Sequence, residues 1–146
     1  MQLTTHFSLE ELVRSSIATR LGIDNTPSEV VVGHLTALAE GLEKVRTLPS
    51  IHNTPLQINS GYRCPALNKA VKGSKTSAHM EGWAADFTCE AASPKEIVRA
   101  IAESDLEYDQ VIEEGTWVHI SFDPRRRKQV LTASFGPGGT TYKRDY

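Results

Sequence analysis

The segment Ser77–Asp86 most constrains how this chain can fold. It reads Ser-Ala-His-Met-Glu-Gly-Trp-Ala-Ala-Asp, so His79 and Asp86 are separated by Gly82 and small residues. A loop histidine and a strand carboxylate can meet at this spacing only if the chain turns sharply between them, and glycine allows such a turn. The segment therefore predicts a turn at Gly82, followed by a strand from Trp83 to Thr88.

A second histidine completes a candidate metal site. His119 lies 33 positions after Asp86, in a segment whose alternation predicts a strand that turns Trp117 and His119 toward one face. Two histidine nitrogens and one carboxylate oxygen are the protein ligands of many catalytic zinc sites, which keep a fourth position for water. We therefore expect His79, Asp86 and His119 to bind one Zn²⁺ per chain.

Capping signals place the helices. Ser8 with Glu11 matches a capping box, and Thr26 before Pro27 and Ser93 before Pro94 are predicted N-caps. The predicted helices run from Ser8 to about Ser16, Thr26 to about Thr47, Pro65 to about Val71, and Pro94 to about Ser104. In the longest helix, an apolar stripe that predicts packing on a core is formed by Val31, Leu35, Leu38, Leu42 and Val45.

The remaining pattern favours strands. The segment 56–60 alternates, and the segments 110–114 and 117–122 predict an antiparallel hairpin whose core face carries Val118, Ile120 and Phe122. We expect an edge strand at 128–132 and irregular structure from Gly136 to the end. Because helices come first and strands later, we expect an α+β fold with a mainly antiparallel sheet and helices packed on one side.

Length and composition indicate one globular unit. A chain of 146 residues with 39% apolar and 23% charged residues fits a single domain over residues 1–146, with a helical part at 1–50 and a metal-site core at 56–122. No apolar run reaches the ~20 residues that cross a bilayer, and the start lacks a signal-peptide pattern. We expect a soluble monomer that does not bind membranes, synthesised in the cytoplasm.

Neither the charge nor the cysteines indicate a further function. The formal charge is -2, and we interpret the basic run at 125–128 as a solvated turn, so we expect no nucleic-acid partner. Cys64 and Cys89 lack a CxxC arrangement, and we expect free thiols. The chain also lacks Gly-x-Ser-x-Gly, which disfavours a serine hydrolase.

The motif Ser77-x-His79-x-x-Gly82-x-Ala84-x-Asp86, with Ser60-Gly-Tyr-Arg63 before it and Trp117-x-His119 after it, resembles the zinc D-alanyl-D-alanine carboxypeptidases and their phage L-alanyl-D-glutamate endopeptidase relatives. The resemblance covers about Gln57 to Ser121. It implies the fold shared with the hedgehog signalling domain, and it implies that the two histidines and Asp86 bind zinc.

The resemblance also implies catalytic roles. Arg63 would stabilise the oxyanion, and a carboxylate shortly before His119 would act as the base. Glu114 fits that place best and Glu113 is the alternative, because strand alternation puts them on opposite faces. Some relatives carry the acid three residues before the histidine, where this chain has Thr116. We expect Ser77 and Trp117 to contact substrate.

Our functional hypothesis is a zinc peptidase that cleaves amide bonds in the peptide stems of bacterial peptidoglycan, as a carboxypeptidase or an endolysin-like endopeptidase. The alternative is a non-catalytic, zinc-stabilised wall-binding or phage virion module. The expected location follows: a phage-encoded protein that reaches the wall after release or within the virion, or a cytosolic protein.

Overall fold

A computed structural model describes residues 1–144, in which five α-helices accompany a six-stranded sheet. The two final residues, which the predicted single domain and irregular tail include, lie outside the described part. The helices are Leu9–Val13 (α1), Ser16–Leu21 (α2), Glu29–Arg46 (α3), Pro65–Ala70 (α4) and Pro94–Ala102 (α5), with a 3₁₀ helix at Ala78–Glu81. The strands are Leu56–Ser60 (β1), Ala84–Cys89 (β2), Gln110–Glu113 (β3), Val118–Ser121 (β4), Gln129–Gly136 (β5) and Gly139–Arg144 (β6).

The sheet has the strand order β1-β2-β4-β3-β5-β6. Neighbouring strands are antiparallel except for β3 and β5, which are parallel. The predicted α+β fold with a mainly antiparallel sheet is confirmed. The pairing register of the sheet places one residue from each strand in a continuous row across it. The row is formed by Ser60, Asp86, His119, Ile112, Leu131 and Arg144. Because facing residues in paired strands project to the same side, Asp86 and His119 share one face of the sheet.

The opposite face carries the hydrophobic core. Val118 and Ile120 are fully buried there, as predicted, and Phe122 packs against the same cluster. The Phe122 ring lies so close to α3 that a Cβ on Gly41 would come within 2.6 Å of it. Helix α5 contacts β3 and β4. Helix packing thus covers this face, and the face with His119 stays available for a cleft.

Two helix predictions are confirmed in detail. The α3 stripe is buried at Leu35, Leu38, Leu42 and Val45 and partly buried at Val31. At α5, the Ser93 side chain accepts from Glu96 N–H at 3.2 Å while the Glu96 carboxylate accepts from Ser93 N–H, which completes the capping box. Local polar chemistry alone is sufficient to place this helix start.

Two other helix predictions are wrong. The first helix ends at Val13, because Arg14 adopts extended angles and Ser15 caps a separate helix, α2, by accepting from Ala18 N–H. Helix α3 begins after Ser28, whose hydroxyl accepts from Val31 N–H at 3.3 Å. Thr26 does not cap it, since its hydroxyl donates to Asp24 at 2.6 Å.

The end of the described chain also differs from the prediction. The strand expected at the sheet edge, β5, lies inside the sheet between β3 and β6. The segment predicted to be irregular forms β6, which pairs with β5 through a turn at 136–139 where Gly139 takes φ +108°. Every described residue of β6 is exposed, so no apolar alternation marks this strand in the sequence.

Further expectations concern thiols and membranes. Cys64 and Cys89 are free thiols, as predicted. Within residues 1–144, no helix combines the length and apolar character needed to cross a lipid bilayer.

Candidate metal centre and cleft

The centre of the site is built by strand register. Asp86 on β2 faces His119 on β4 directly, and Nδ1 of His119 lies 3.0 Å from Oδ1 of Asp86. Directly opposite residues in an antiparallel pair have Cβ atoms only about 5 Å apart, so short polar side chains there converge. A one-residue slip would turn one of the two side chains into the core.

His79 reaches the same point from the 3₁₀ helix. Ser77 caps that helix by accepting from His79 N–H at 3.2 Å, and Gly82 ends it with φ +81°. The imidazole is buried, and its Nδ1 lies 2.7 Å from the Gly61 carbonyl oxygen. A carbonyl only accepts, so Nδ1 carries the proton and Nε2 is the free nitrogen, 3.2 Å from Oδ1 of Asp86. The predicted turn at Gly82 is present, and it places the free nitrogen of the candidate ligand His79 beside Asp86.

The three side chains fit a zinc ion. One potential ligand atom from each of His79, Asp86 and His119 lies within 4.8 Å of the others, and this is the one such group found in residues 1–144. Tetrahedral zinc with ligands at about 2.0–2.1 Å requires ligand atoms about 3.3 Å apart. The separations of 3.0 and 3.2 Å match that requirement. The Gly61 carbonyl supplies the outer hydrogen bond that orients metal-binding histidines.

The protonation states suit the same ion. Burial lowers the pKa of His79, which favours the neutral imidazole that metals bind. Burial alone would raise the pKa of Asp86, but His79 and His119 outweigh it and hold that pKa well below its ordinary value. The centre thus offers a neutral His79 imidazole and an ionised Asp86 carboxylate.

Arg63 stands beside the centre, just after β1. Its backbone N–H donates to the His79 carbonyl at 3.0 Å, and its Nη2 donates to Ser77 at 3.3 Å. Its Nε is buried without a hydrogen-bond partner in the described chain. Burial lowers the pKa of this guanidinium, while Asp86 and Glu114 act to raise it. A guanidinium remains charged under such shifts, so Arg63 brings a fixed positive charge to the site.

Glu114 lies in the same cleft as the three candidate ligands, whereas Glu113 is not among the cleft-lining residues. The Glu114 backbone N–H donates to the Trp117 carbonyl at 2.9 Å, which closes the β3–β4 hairpin at Gly115. Burial raises the pKa of the Glu114 carboxyl and Asp86 adds to that rise, against His119 and Arg63. A carboxylate with a raised pKa in a cleft has the character of a general base.

The predicted substrate-contacting residues lie in the cleft, whereas Trp83 and His34 lie outside it. Ser77 and Trp117 both line the cleft, which has a volume of about 570 Å³. Trp117 and Arg63 also line an adjoining cavity of about 950 Å³ between α2 and β1. Trp83 instead stacks on His34 with ring centroids 3.9 Å apart, and His34 Nδ1 contacts the Glu81 carbonyl at 2.6 Å. His34 is thus a support for the 3₁₀ helix, outside the metal centre.

Several residues of the site carry no signal in the sequence. Asn25 bonds the carbonyls of Val13 and Tyr62 and accepts from Cys64 N–H, which fixes the segment that holds Arg63. The cleft is also lined by Asp109, Gln110, Arg125, Arg127, Leu131 and Tyr142. The basic run interpreted as a solvated turn is exposed but ion-paired, to Glu107, Asp109 and Asp123.

Comparison with known proteins agrees with this geometry. No match was found among curated protein sequences. A family model described as Peptidase M15 matches residues 5–121, which includes the N-terminal helices as well as all three candidate ligands. This match covers most of the chain. The chain therefore belongs to the Peptidase M15 family, whose members are zinc-dependent peptidases.

Proposed function

We propose that this protein is a zinc peptidase that hydrolyses an amide bond in the peptide stems of bacterial peptidoglycan. The observation that carries the proposal is the placement of Arg63 and Glu114 in one cleft with the ligand group His79, Asp86 and His119. Membership of a family that acts on peptidoglycan peptides supports the substrate class.

The metal-binding side chains and the general base have separate roles in the proposed reaction. A zinc ion held by the three ligands would supply Lewis acidity, which makes water nucleophilic near neutral pH. Glu114 accepts the proton of the attacking water and returns it to the departing amine. The carboxylate is therefore ionised again at the end of the reaction.

Arg63 provides electrostatic stabilisation. Its guanidinium offers N–H donors to the negative charge that develops on the carbonyl oxygen, and one such donor is commonly worth about 10²–10³ in rate. Ser77 holds this guanidinium through its hydroxyl and holds the 3₁₀ helix through its cap. Ser77 thus couples the position of Arg63 to that of His79, while Trp117 forms a wall beside the scissile bond.

The test is a digest of purified peptidoglycan with zinc-loaded protein, with released amines and peptides identified by mass spectrometry. We expect new amine ends from the wild type and a loss of about 10²–10⁴-fold in Glu114→Gln, with zinc content retained. Glu113→Gln is the matched control and should remain active. Wild-type protein that binds zinc but releases no more amine than Glu114→Gln would contradict the proposal.

The same material tests the non-catalytic alternative. If His119→Ala lowers the melting temperature sharply while the wild type lacks activity, the metal centre serves folding or wall binding. Loss of activity with the fold retained favours catalysis.

A further inference from the structure

Arg125 and Arg127 form a pair on the wall of the cleft that contains the metal centre. They lie between β4 and β5, beyond residue 121, where the family match ends. Asp123, which begins this segment, stands four residues after His119. Arg125 and Arg127 stand six and eight residues after His119, and a chain rises about 3.3 Å per residue when extended, so their Cα atoms lie at most about 20 and 26 Å from that of the candidate ligand His119.

Two buried aspartates hold the two arginine side chains in place. Arg127 donates from Nε and Nη2 to the two carboxylate oxygens of Asp109, each at 2.9 Å. Arg125 donates to Asp123 from Nη2 to Oδ2 at 2.7 Å and from Nε to both oxygens, at 3.0 Å to Oδ2 and 3.2 Å to Oδ1. Both aspartates are buried, at 1% and 5% exposure. Such bidentate contacts fix the plane of each guanidinium.

The anchoring leaves unused donors on both arginines. A guanidinium has five N–H groups, and the forked contacts use only the Nε and Nη2 edge. Nη1 of Arg125 and of Arg127 makes no hydrogen bond within residues 1–144. The arginine side chains are 59% and 37% exposed, whereas the side chains of their partners Asp123 and Asp109 are 7% and 1% exposed. Asp109 also lines the cleft, but both of its oxygens are bonded to Arg127. At this wall the guanidiniums are therefore more exposed than the carboxylates that they bind.

The surrounding charge favours an anion. Lys72 lines the same cleft and has no ion pair in the described chain. Asp109 and Asp123 have both carboxylate oxygens hydrogen-bonded, to Arg127 and to Arg125 respectively. Gln110 and Gln129 bond each other at 3.1 Å and add no charge. The N–H groups that remain unbonded on guanidiniums held in this way can donate to a further carboxylate, which is an acceptor only.

We propose that Arg125 and Arg127 form a subsite that binds a free carboxylate of the substrate peptide, at a residue a few positions from the scissile amide. This inference rests on the proposed function for its substrate class. It assigns the pair a role in choosing between stem peptides that carry a carboxylate and those that carry a carboxamide at that residue. Arg63 remains the cation of the reacting centre.

The test measures binding and hydrolysis separately. Zinc-loaded Glu114→Gln protein is titrated calorimetrically with a synthetic stem pentapeptide and with versions in which each free carboxylate is replaced in turn by a carboxamide. We expect one replacement to weaken binding about tenfold or more. Arg125→Gln in the same background should weaken binding of the parent peptide similarly, and that one replacement should then have little further effect.

Two variants separate binding from folding. Arg126→Gln removes the same charge from the same segment, but Arg126 pairs with the exposed Glu107 and does not line the cleft, so binding should be retained. Arg125→Lys keeps the positive charge but loses the planar guanidinium. Its affinity for the parent peptide should lie between those of the proteins with Arg125 and with Arg125→Gln. Melting temperatures of all variants check the fold, and Arg125→Gln should keep its fold because this side chain is mostly exposed.

The outcomes are distinct. If every carboxamide peptide binds as the parent does, or if Arg125→Gln and Arg126→Gln bind alike, the subsite is refuted, even where the active protein cleaves every peptide. If binding shows the carboxylate preference and its dependence on Arg125 while wild-type protein cleaves nothing, the subsite stands and the proposed hydrolysis fails.

Discussion

Nδ1 of His119 lies 3.0 Å from Oδ1 of Asp86, because these residues face each other across β2 and β4. Asp86→Ala removes the central oxygen of the ligand group without touching the core face. We expect zinc affinity to fall by at least about 100-fold, since losing only an outer hydrogen-bond partner costs about 10–100-fold. Metal analysis after dialysis measures it, with the exposed Asp105→Ala as the control. Equal zinc content in both variants would exclude Asp86 as a ligand.

Metal removal should lower stability through the same three side chains. A ligand that binds only the folded state at about 100 times its Kd adds about 2.7 kcal/mol to the free energy of unfolding. For a chain of this size that corresponds to a rise of about 5–10 °C in melting temperature. Calorimetry with and without chelator should therefore show this shift in the wild type and none in Asp86→Ala. A chelator effect of equal size in the variant would place the stabilising metal elsewhere.

Arg63→Gln should change both the rate and its pH dependence. Loss of one oxyanion donor is expected to lower kcat/KM by about 10²–10³. The positive charge of Arg63 also lowers the pKa of Glu114, so its removal raises that pKa. Because the base must be ionised, activity falls as pH drops through this pKa, and the acid limb of the profile should move to higher pH. An acid limb at unchanged pH would separate Arg63 from the base.

Gly82→Ala should destabilise the protein and disturb His79. Gly82 has φ +81°, and an added Cβ would lie 3.0 Å from Val31 Cγ1 and 3.1 Å from the Val31 carbonyl oxygen. We expect a loss of about 1–3 kcal/mol in the free energy of unfolding, with weaker zinc binding. Gly33→Ala is the control, because that position is helical with open space around it. It should gain about 0.5–1 kcal/mol; denaturant unfolding measures both.

The Asp109 carboxylate should stabilise the fold in a pH-dependent way. Its burial tends to raise its pKa, but hydrogen bonds from Arg127 outweigh burial and lower it. A depressed folded-state pKa contributes stability above the unfolded pKa of about 3.9, and that contribution is lost as pH falls through the folded value. At pH 7, metal-free Asp109→Asn should be less stable than metal-free wild type by about 2–4 kcal/mol.

The measurement is denaturant unfolding of both metal-free proteins between pH 7 and pH 2.5. The difference between them should shrink once the pH drops below about 4, where the unfolded carboxylate takes up its proton. A difference that is constant over this range would show that Asp109 acts through shape and not through charge.

Local chemistry made much of this fold predictable. The N-cap at Ser93 and the stripe of α3 depend on residues three or four positions apart, which a sequence displays directly. The candidate metal ligands could also be predicted, since Gly82 sets the turn between His79 and Asp86, and alternation in β4 sets the face of His119. Where two neighbouring residues could each cap a helix, as Thr26 and Ser28 could for α3, the sequence did not show which of them does.

The sequence by itself determined the α+β class, most element positions and the three candidate ligands. Tertiary structure alone decided that β5 enters the sheet in parallel beside β3, that the Gly61 carbonyl orients His79, and that Arg125 and Arg127 rest on Asp123 and Asp109 in the cleft wall. Such contacts depend on strand order and register between distant segments. Periodicity shows which face of a strand or helix a residue lies on. Which residue lies opposite it depends on how the chain folds back between distant segments, and periodicity does not show that.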